Sequence, residues 1–422
     1  MVKVSKFMTP PFKDPALTKS YRALAGSSLM LKLFNKVILI LWGDQLSSGS
    51  LQMGYKKNSS TAQCSYVMSE TISYFLNNGS NPIMVALDMS SAFDKCKFDV
   101  MFTKIEARLP PVIVRALIFI YQQQYAWVRW GNKSKSEIFK ICNGTRQGSV
   151  LSPALFSVYV QDLLDELQNL GVGCHIGNTF LGAIAWADDF LLLAPNRAAM
   201  QQMLDLAANF GLRNNLEFSC DPDPAKTKSK AIYMIGKKTR LPKPAGLQLY
   251  GKSLPWVAHA THLGHEFHED GTMTMDAKMK KGSYIGKSLE VLDSYSFAAP
   301  TEVLGAVKLF AADLYGGMLW RLDSPEVEQV GRCWNTTVKD AWGLSRATHT
   351  YIVRCLSSPH SSLMEDLLAR WVKYFQSCLY SPSPEVCIVA RIAPGNLRTT
   401  DGANNRIITT LGLDRAPPAL PR

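Results

Sequence analysis

The sequence has little that suits an oxidising compartment or a membrane. Its nine cysteines, from Cys64 to Cys387, are scattered, odd in number and never in CxxC spacing. That argues against a disulfide framework or a zinc ribbon, and for reduced thiols in an intracellular protein. Long hydrophobic runs are missing too. The longest near the start, Val37 to Trp42, is far too short to cross a bilayer, and no signal peptide is legible. There is no internal repeat and no low-complexity tract. Acidic residues are in deficit, 34 against 46 lysines and arginines, which leaves a net charge of +12. That balance favours a polyanionic partner, nucleic acid before membrane, and says nothing about fold. What is present is ample: 422 residues, 47% of them hydrophobic, enough for two or three domains with real cores.

Apolar periodicity sketches the elements. Leu29 to Leu41 reads as a helix. So does Thr61 to Leu76, with a Ser-Thr step as its N-cap and Asn77-Asn78-Gly79-Ser80-Asn81-Pro82 as its stop. Ile83 to Leu87 has strand length. Residues 98–124 read as helical with a break at Pro110-Pro111, and Tyr125 to Cys142 as strand-like with interleaved aromatic and basic residues. A Gly-marked loop, Asn143 to Pro153, leads into a helix from Ala154 to Leu170; Arg146 and Gln147 there could face an anion at the helix N-terminus. Beyond about Met275 the patterning is helical, and the Pro-rich tail reads as loosely ordered.

The organising stretch is Ala185-Trp186-Ala187-Asp188-Asp189-Phe190, with short apolar runs on both sides. Such runs, separated by a tight turn, predict a hairpin carrying two adjacent carboxylates at its tip. Adjacent carboxylates repel and are costly to bury unless a cation neutralises them, so a divalent metal competes here with a solvated acidic turn. Asp88 ends the strand from Ile83; the bland alternative is a helix N-cap. Brought together on one sheet, Asp88 and Asp188 would suit two divalent ions about 3.5–4 Å apart, the arrangement of in-line phosphoryl transfer. His259, His262, His265 and His268 recur every third residue, but that spacing does not make side chains converge, and Gly264 argues for strands and turns rather than zinc.

Three of these stretches, in order and spacing, resemble the motifs of non-LTR (LINE-type) retrotransposon reverse transcriptases. Leu87-Asp88-Met89-Ser90-Ser91-Ala92-Phe93-Asp94 resembles the first catalytic motif. Asn143 to Phe156 resembles RQG-x-x-LSP-x-LF, and Ala187-Asp188-Asp189 the metal-binding double aspartate. Trp186 departs from the family's usual Tyr or Phe, at a place where activity or fidelity would feel it. The resemblance implies an α+β right-hand polymerase. Fingers would occupy 1–80, and a palm with an antiparallel sheet 81–270, interrupted by a returning fingers segment at about 105–145. A helical thumb would run over 271–395 and a loosely ordered tail over 396–422.

The same resemblance implies an RNA-directed DNA polymerase that adds dNTPs to a primer 3′-hydroxyl. Asp88, Asp188 and Asp189 would hold two Mg²⁺ ions, with Mn²⁺ as substitute. Lys13 and Arg22 would hold the triphosphate, as would Gln147 and Gly148 the nucleotide and template base pair. Phe93 would exclude a ribose 2′-hydroxyl, with core packing as its plain alternative. Gln52 to Lys57 resembles the QFGF-x-K segment. Lys228, with Lys226 close behind, would be general acid to the departing pyrophosphate. His262-Leu263-Gly264 resembles the turn that grips the primer end. The implied partners are an RNA template, a DNA primer and dNTPs, with no membrane and no stated oligomer; the implied site of action is the nucleus. No endonuclease motif set and no Cys-His knuckle is legible, and the chain begins within what resembles the fingers. The alternative is therefore an inactive, truncated remnant that only binds nucleic acid. A nucleotide cyclase finds no support in the RQG-x-x-LSP stretch.

Overall fold

The computed structural model describes residues 2–8, 21–130, 134–146, 148–221, 223, 226–236, 242–393 and 400–410. Strands β1 (Val2–Met8) and β2 (Tyr21–Gly26) pair antiparallel, and α1 (Leu29–Trp42) follows, capped by the Ser28 hydroxyl. This helix buries only Asn35 and Ile38, while Leu29, Met30, Leu33, Ile40 and Leu41 are each more than half exposed. A capping box of Ser60 and Gln63 starts α2 (Thr61–Asn77), which is buried over most of its length. Then come β3 (Ile83–Asp88), α3 (Ala92–Lys95), α4 (Phe98–Glu106) and α5 (Pro111–Gln122), the last two split at Pro110-Pro111. Strand β4 (Tyr125–Trp130) runs parallel to β1 and pairs with β5 (Ser134–Lys135) and β6 (Phe139–Lys140).

After α6 (Ser152–Leu170) come β7 (His175–Ile176), β8 (Thr179–Phe180), β9 (Ala183–Trp186), β10 (Asp189–Ala194) and α7 (Arg197–Arg213). Strand β11 (Lys230–Tyr233) and the short hairpins β12 (Gln248–Leu249) with β13 (Lys252–Ser253) and β14 (His259–His262) with β15 (His265–His268) complete this part. The rest is helical: α8 (Thr274–Ser294), α9 (Pro300–Phe310), α10 (Pro325–Ala341), α11 (Thr350–Ser357), α12 (Leu363–Leu379), α13 (Pro384–Ile392) and α14 (Thr400–Thr410).

The central sheet has the order β11-β3-β10-β9, antiparallel throughout. Successive residues of its inner strands enter two different cores. Val85, Leu87, Phe190 and Leu192 pack with α4 to α7, whereas Met84, Leu191 and Leu193 pack with α2 and the C-terminal helices. Both faces are covered, which is why β3 and β10 read as continuous apolar runs rather than alternating ones.

Two expectations differ from the structure. The helical patterning beyond about Met275 is interrupted after α9 ends at Phe310, by an irregular turn and a short 3₁₀ segment at Gly317–Leu319. The expected loose tail contains α14 at 400–410, because this helix carries partners for groups already buried. Tyr66 and the Trp371 indole N–H both donate to Asp401, and Asn404 bonds the Trp320 carbonyl and the Leu322 N–H. A polar, Pro-flanked composition does not reveal such partners.

Candidate active site

The site is built at one end of the central sheet. Asp189, the first residue of β10, lies directly opposite Asp88, the last of β3, and opposite Trp186 on its other side. Ala187 and Asp188 form the two-residue turn between, with Ala187 at φ +59°. Directly opposed residues of an antiparallel pair share a sheet face, so Asp88 and Asp189 are face-mates by register. All three aspartates are partly exposed, while Leu87 and Phe190 behind them are sealed. The carboxylates emerge from the sheet where apolar packing ends.

Backbone bonds fix Asp88 rather than any capping role. Its N–H donates to the Ser229 hydroxyl at 3.2 Å, and its carbonyl accepts from Ser219 N–H at 2.7 Å. Its Oδ2 is buried and accepts no hydrogen bond, but Lys228 Nζ stands 3.4 Å away. Lys226, by contrast, faces Asp223 at 3.5 Å. Among the described residues no three His, Cys, Asp or Glu side chains already stand as a metal-holding set. The donor chemistry nevertheless fits a hard divalent cation. There is one carboxylate oxygen without a hydrogen bond, two more carboxylates at the adjoining hairpin, and an ammonium rather than a buried base balancing charge.

The remaining expected residues divide. Phe93 is half-buried and stacked on Phe156, centroids 4.2 Å apart. Its carbonyl accepts Thr145 N–H at 2.7 Å, and Gly144, at φ +88°, comes so close to Asp94 that a Cβ would lie 2.9 Å from its Cα. The loop with Gly148, at φ +96°, is thereby locked to the segment after Asp88. Arg146 is buried with its guanidinium 5.2 Å from the Tyr121 ring. Arg22 sits on β2 opposite Phe7, and nothing further is described of its side chain. Lys13 and Gln147 lie outside the described residues.

His262, Leu263 and Gly264 form the tip of the β14–β15 hairpin, with Leu263 at φ +50° and Gly264 at φ +79°. Lys280 of α8 donates to the Gly264 carbonyl at 2.8 Å, and Asp276 of α8 accepts the Glu266 N–H at 3.2 Å. His262 and His265 are buried opposite one another, and neither ring makes a hydrogen bond. Burial pushes them down, to about 3 for His262 and about 4 for His265, the latter stacked on Tyr315.

Sequence reasoning gave no role at the site to three contributors. Gln52 is fully buried and bonds both backbone polar groups of Ala187. Tyr55 lies close enough to the hairpin that, after burial, the Asp188 and Asp189 charges raise its phenol above its ordinary value. Lys280 reaches the β14–β15 tip from α8. The QFGF-like segment flagged the first two without revealing what they touch.

An antiparallel sheet with a carboxylate ending one strand and a double aspartate in the adjoining hairpin is the palm of a right-hand polymerase. The sequence model of the family described as reverse transcriptase (RNA-dependent DNA polymerase) matches residues 11–265, over half of the chain, and the chain belongs to that family. The family's chemistry depends on divalent metal. Curated relatives are retrotransposon proteins. The Pol polyprotein of the type-1 retrotransposable element R2 from Popillia japonica is 23% identical over 420 residues, covering 97% of this chain and 52% of that protein. The probable RNA-directed DNA polymerase from transposon BS of Drosophila melanogaster is 25% identical over 287 residues, 65% of this chain and 29% of that one. The chain thus spans about half or less of the length of these relatives. Among solved structures, apo telomerase from Candida tropicalis aligns over 99% of this chain and 68% of that one, at 11% identity and a TM-score of 0.45. No described helix is long and apolar enough to cross a membrane.

Proposed function

We propose that this chain is the RNA-directed DNA polymerase of a retrotransposon, extending a DNA primer with dNTPs on an RNA template. The observation that carries the reading is the register of Asp189 on Asp88 with Asp188 one residue away, inside a chain of this family. Asp88, Asp188 and Asp189 hold the metals, Mg²⁺ with Mn²⁺ as substitute. Two cations bound there would activate the primer hydroxyl and neutralise charge on the phosphates.

The chain's own groups do the rest. Lys13 and Arg22 hold the triphosphate, and Gln147 and Gly148 seat the nucleotide against the template base. Phe93, braced by Phe156, closes the space a 2′-hydroxyl would need. The primer 3′-hydroxyl gives its proton to water as its oxygen bonds the α-phosphorus, the α–β phosphoanhydride bond breaks, and Lys228 Nζ delivers a proton to the leaving oxygen. Lys228 is 69% exposed on a flexible stem, so its ammonium can leave Asp88 and swing to the phosphates. His262, Leu263 and Gly264 hold the primer end. In this reading 1–80 are fingers, 81–270 palm with fingers returning at about 105–145, and 271–395 thumb.

The test is incorporation of labelled dTTP on poly(rA)/oligo(dT) with Mg²⁺, beside Asp188→Asn. Activity in the parent and none in the variant is expected, with duplex binding retained in both. A variant that still polymerises removes the metal assignment. A parent that binds duplex and incorporates nothing is the inactive remnant instead.

A further inference from the structure

The turn carrying Asp188 does not hold itself. Ala187 sits at φ +59°, a left-handed conformation that residues with a Cβ seldom adopt and that persists only where surroundings over-determine it. The neighbour that determines it is the loop before α2. Gln52 donates from Nε2 to the Ala187 carbonyl at 3.1 Å, and its Oε1 accepts Ala187 N–H at 2.9 Å and Gly54 N–H at 3.0 Å. The amide thus closes on both backbone polar groups of the residue preceding Asp188, from a fully buried position where water cannot compete. The backbone alongside joins in: Met53 N–H donates to the Ala185 carbonyl at 2.8 Å, and Ala185 N–H to the Leu51 carbonyl at 2.9 Å. Gly54 completes the fit, since a Cβ there would lie 2.6 Å from Ala187 N.

We infer that Gln52 is a positioning residue for the metal-holding turn. Through Ala187 it sets where the Asp188 carboxylate stands, and so how tightly a divalent cation binds at the sheet end. The inference rests on the reading of Asp188 as a metal ligand. Polar partners one step behind a ligand are worth roughly 10–100-fold in metal affinity or activity, and a displacement of about 1 Å costs on the order of 10²-fold in rate.

The test uses Gln52→Met, which fills similar volume without the amide, and Gly54→Ala, which presses on the same turn from the other side. Mn²⁺ binding is followed by electron paramagnetic resonance in the full chain without nucleotide. Steady-state kinetics and duplex affinity are measured alongside. For Gln52→Met we expect Mn²⁺ affinity about tenfold weaker and kcat roughly 10²-fold lower. KM for dTTP and Kd for the duplex should stay within about twofold, and high Mn²⁺ should restore part of the rate. Should Gln52→Met fail to fold, Gly54→Ala must show the same pattern. Parent-like Mn²⁺ binding overturns the inference, as does a rate loss matched by equal loss of duplex binding. If Asp188→Asn also binds Mn²⁺ and polymerises like the parent, the functional reading falls first. If Asp188→Asn is dead and Gln52→Met is not, only the positioning role falls.

Discussion

Lys226 and Lys228 lie two residues apart, and the sequence alone could not separate them. In the fold Lys228 reaches Asp88 while Lys226 pairs with an exposed aspartate on its own loop. Surface pairs of the second kind contribute little. Lys228→Ala is therefore expected to lower kcat by roughly 10²-fold, the usual worth of a general acid. Lys226→Ala should stay close to parent in a single-turnover assay, and equal losses in both would remove the assignment. The residue scale also shows what a sequence can and cannot carry. Asp88, Asp188 and Asp189 were legible because paired carboxylates at the ends of apolar strands are costly without a purpose. Gln52 was not, because its partner lies 135 positions away and an amide betrays no chemistry by itself. Arg146 shows the converse: a cation in a glycine loop suggests an anion, and the sequence does not reveal the Tyr121 ring it lies against.

Among the elements, the β14–β15 hairpin has its own pH behaviour. His262 and His265 are held neutral by burial, well below the ordinary histidine value. The unfolded chain binds protons there first, so the stability these rings contribute is full above about 6.5 and drains as pH falls toward 4. Relative to a His265→Phe variant, the parent should lose melting temperature progressively between pH 7 and 5. A constant difference would mean the ring is not held neutral. Strands and a turn were legible here from Gly264, and so were most helix starts, because caps and breakers act locally. The exposed apolar side of α1 was not, since periodicity marks a face and not whether anything covers it.

Across the whole molecule, α14 fastens parts distant in sequence. Asp401 takes hydrogen bonds from Tyr66 of α2 and Trp371 of α12, while Asn404 holds the segment at Trp320 and Leu322. Burial pushes the Asp401 carboxyl up to about 6, and it pushes the nearby Glu70 carboxyl up as well. The folded state keeps these protons longer than the unfolded chain does. For Asp401 that stabilisation is full below about 4 and is lost as pH rises through about 6, and Glu70 shares its sign, opposite to the histidines. Asp401→Asn should raise the melting temperature at pH 8 and bring little or no gain at pH 5. A gain equal at both would show that ionisation there is not the cost.

Helix α8 touches the β14–β15 hairpin at two separate points, the Gly264 carbonyl at its tip and the Glu266 amide in β15. Two anchors leave the tip no freedom to pivot alone. Mechanically the helix is a lever whose arm runs about 20 Å from Lys280 to Ser294, with the tip at its anchored end. Swinging the far end by a few degrees turns the tip with it. Tip and helix are thus expected to move as one body: dyes at Leu263 and Ser294 should keep a fixed distance while each changes its distance to the central sheet.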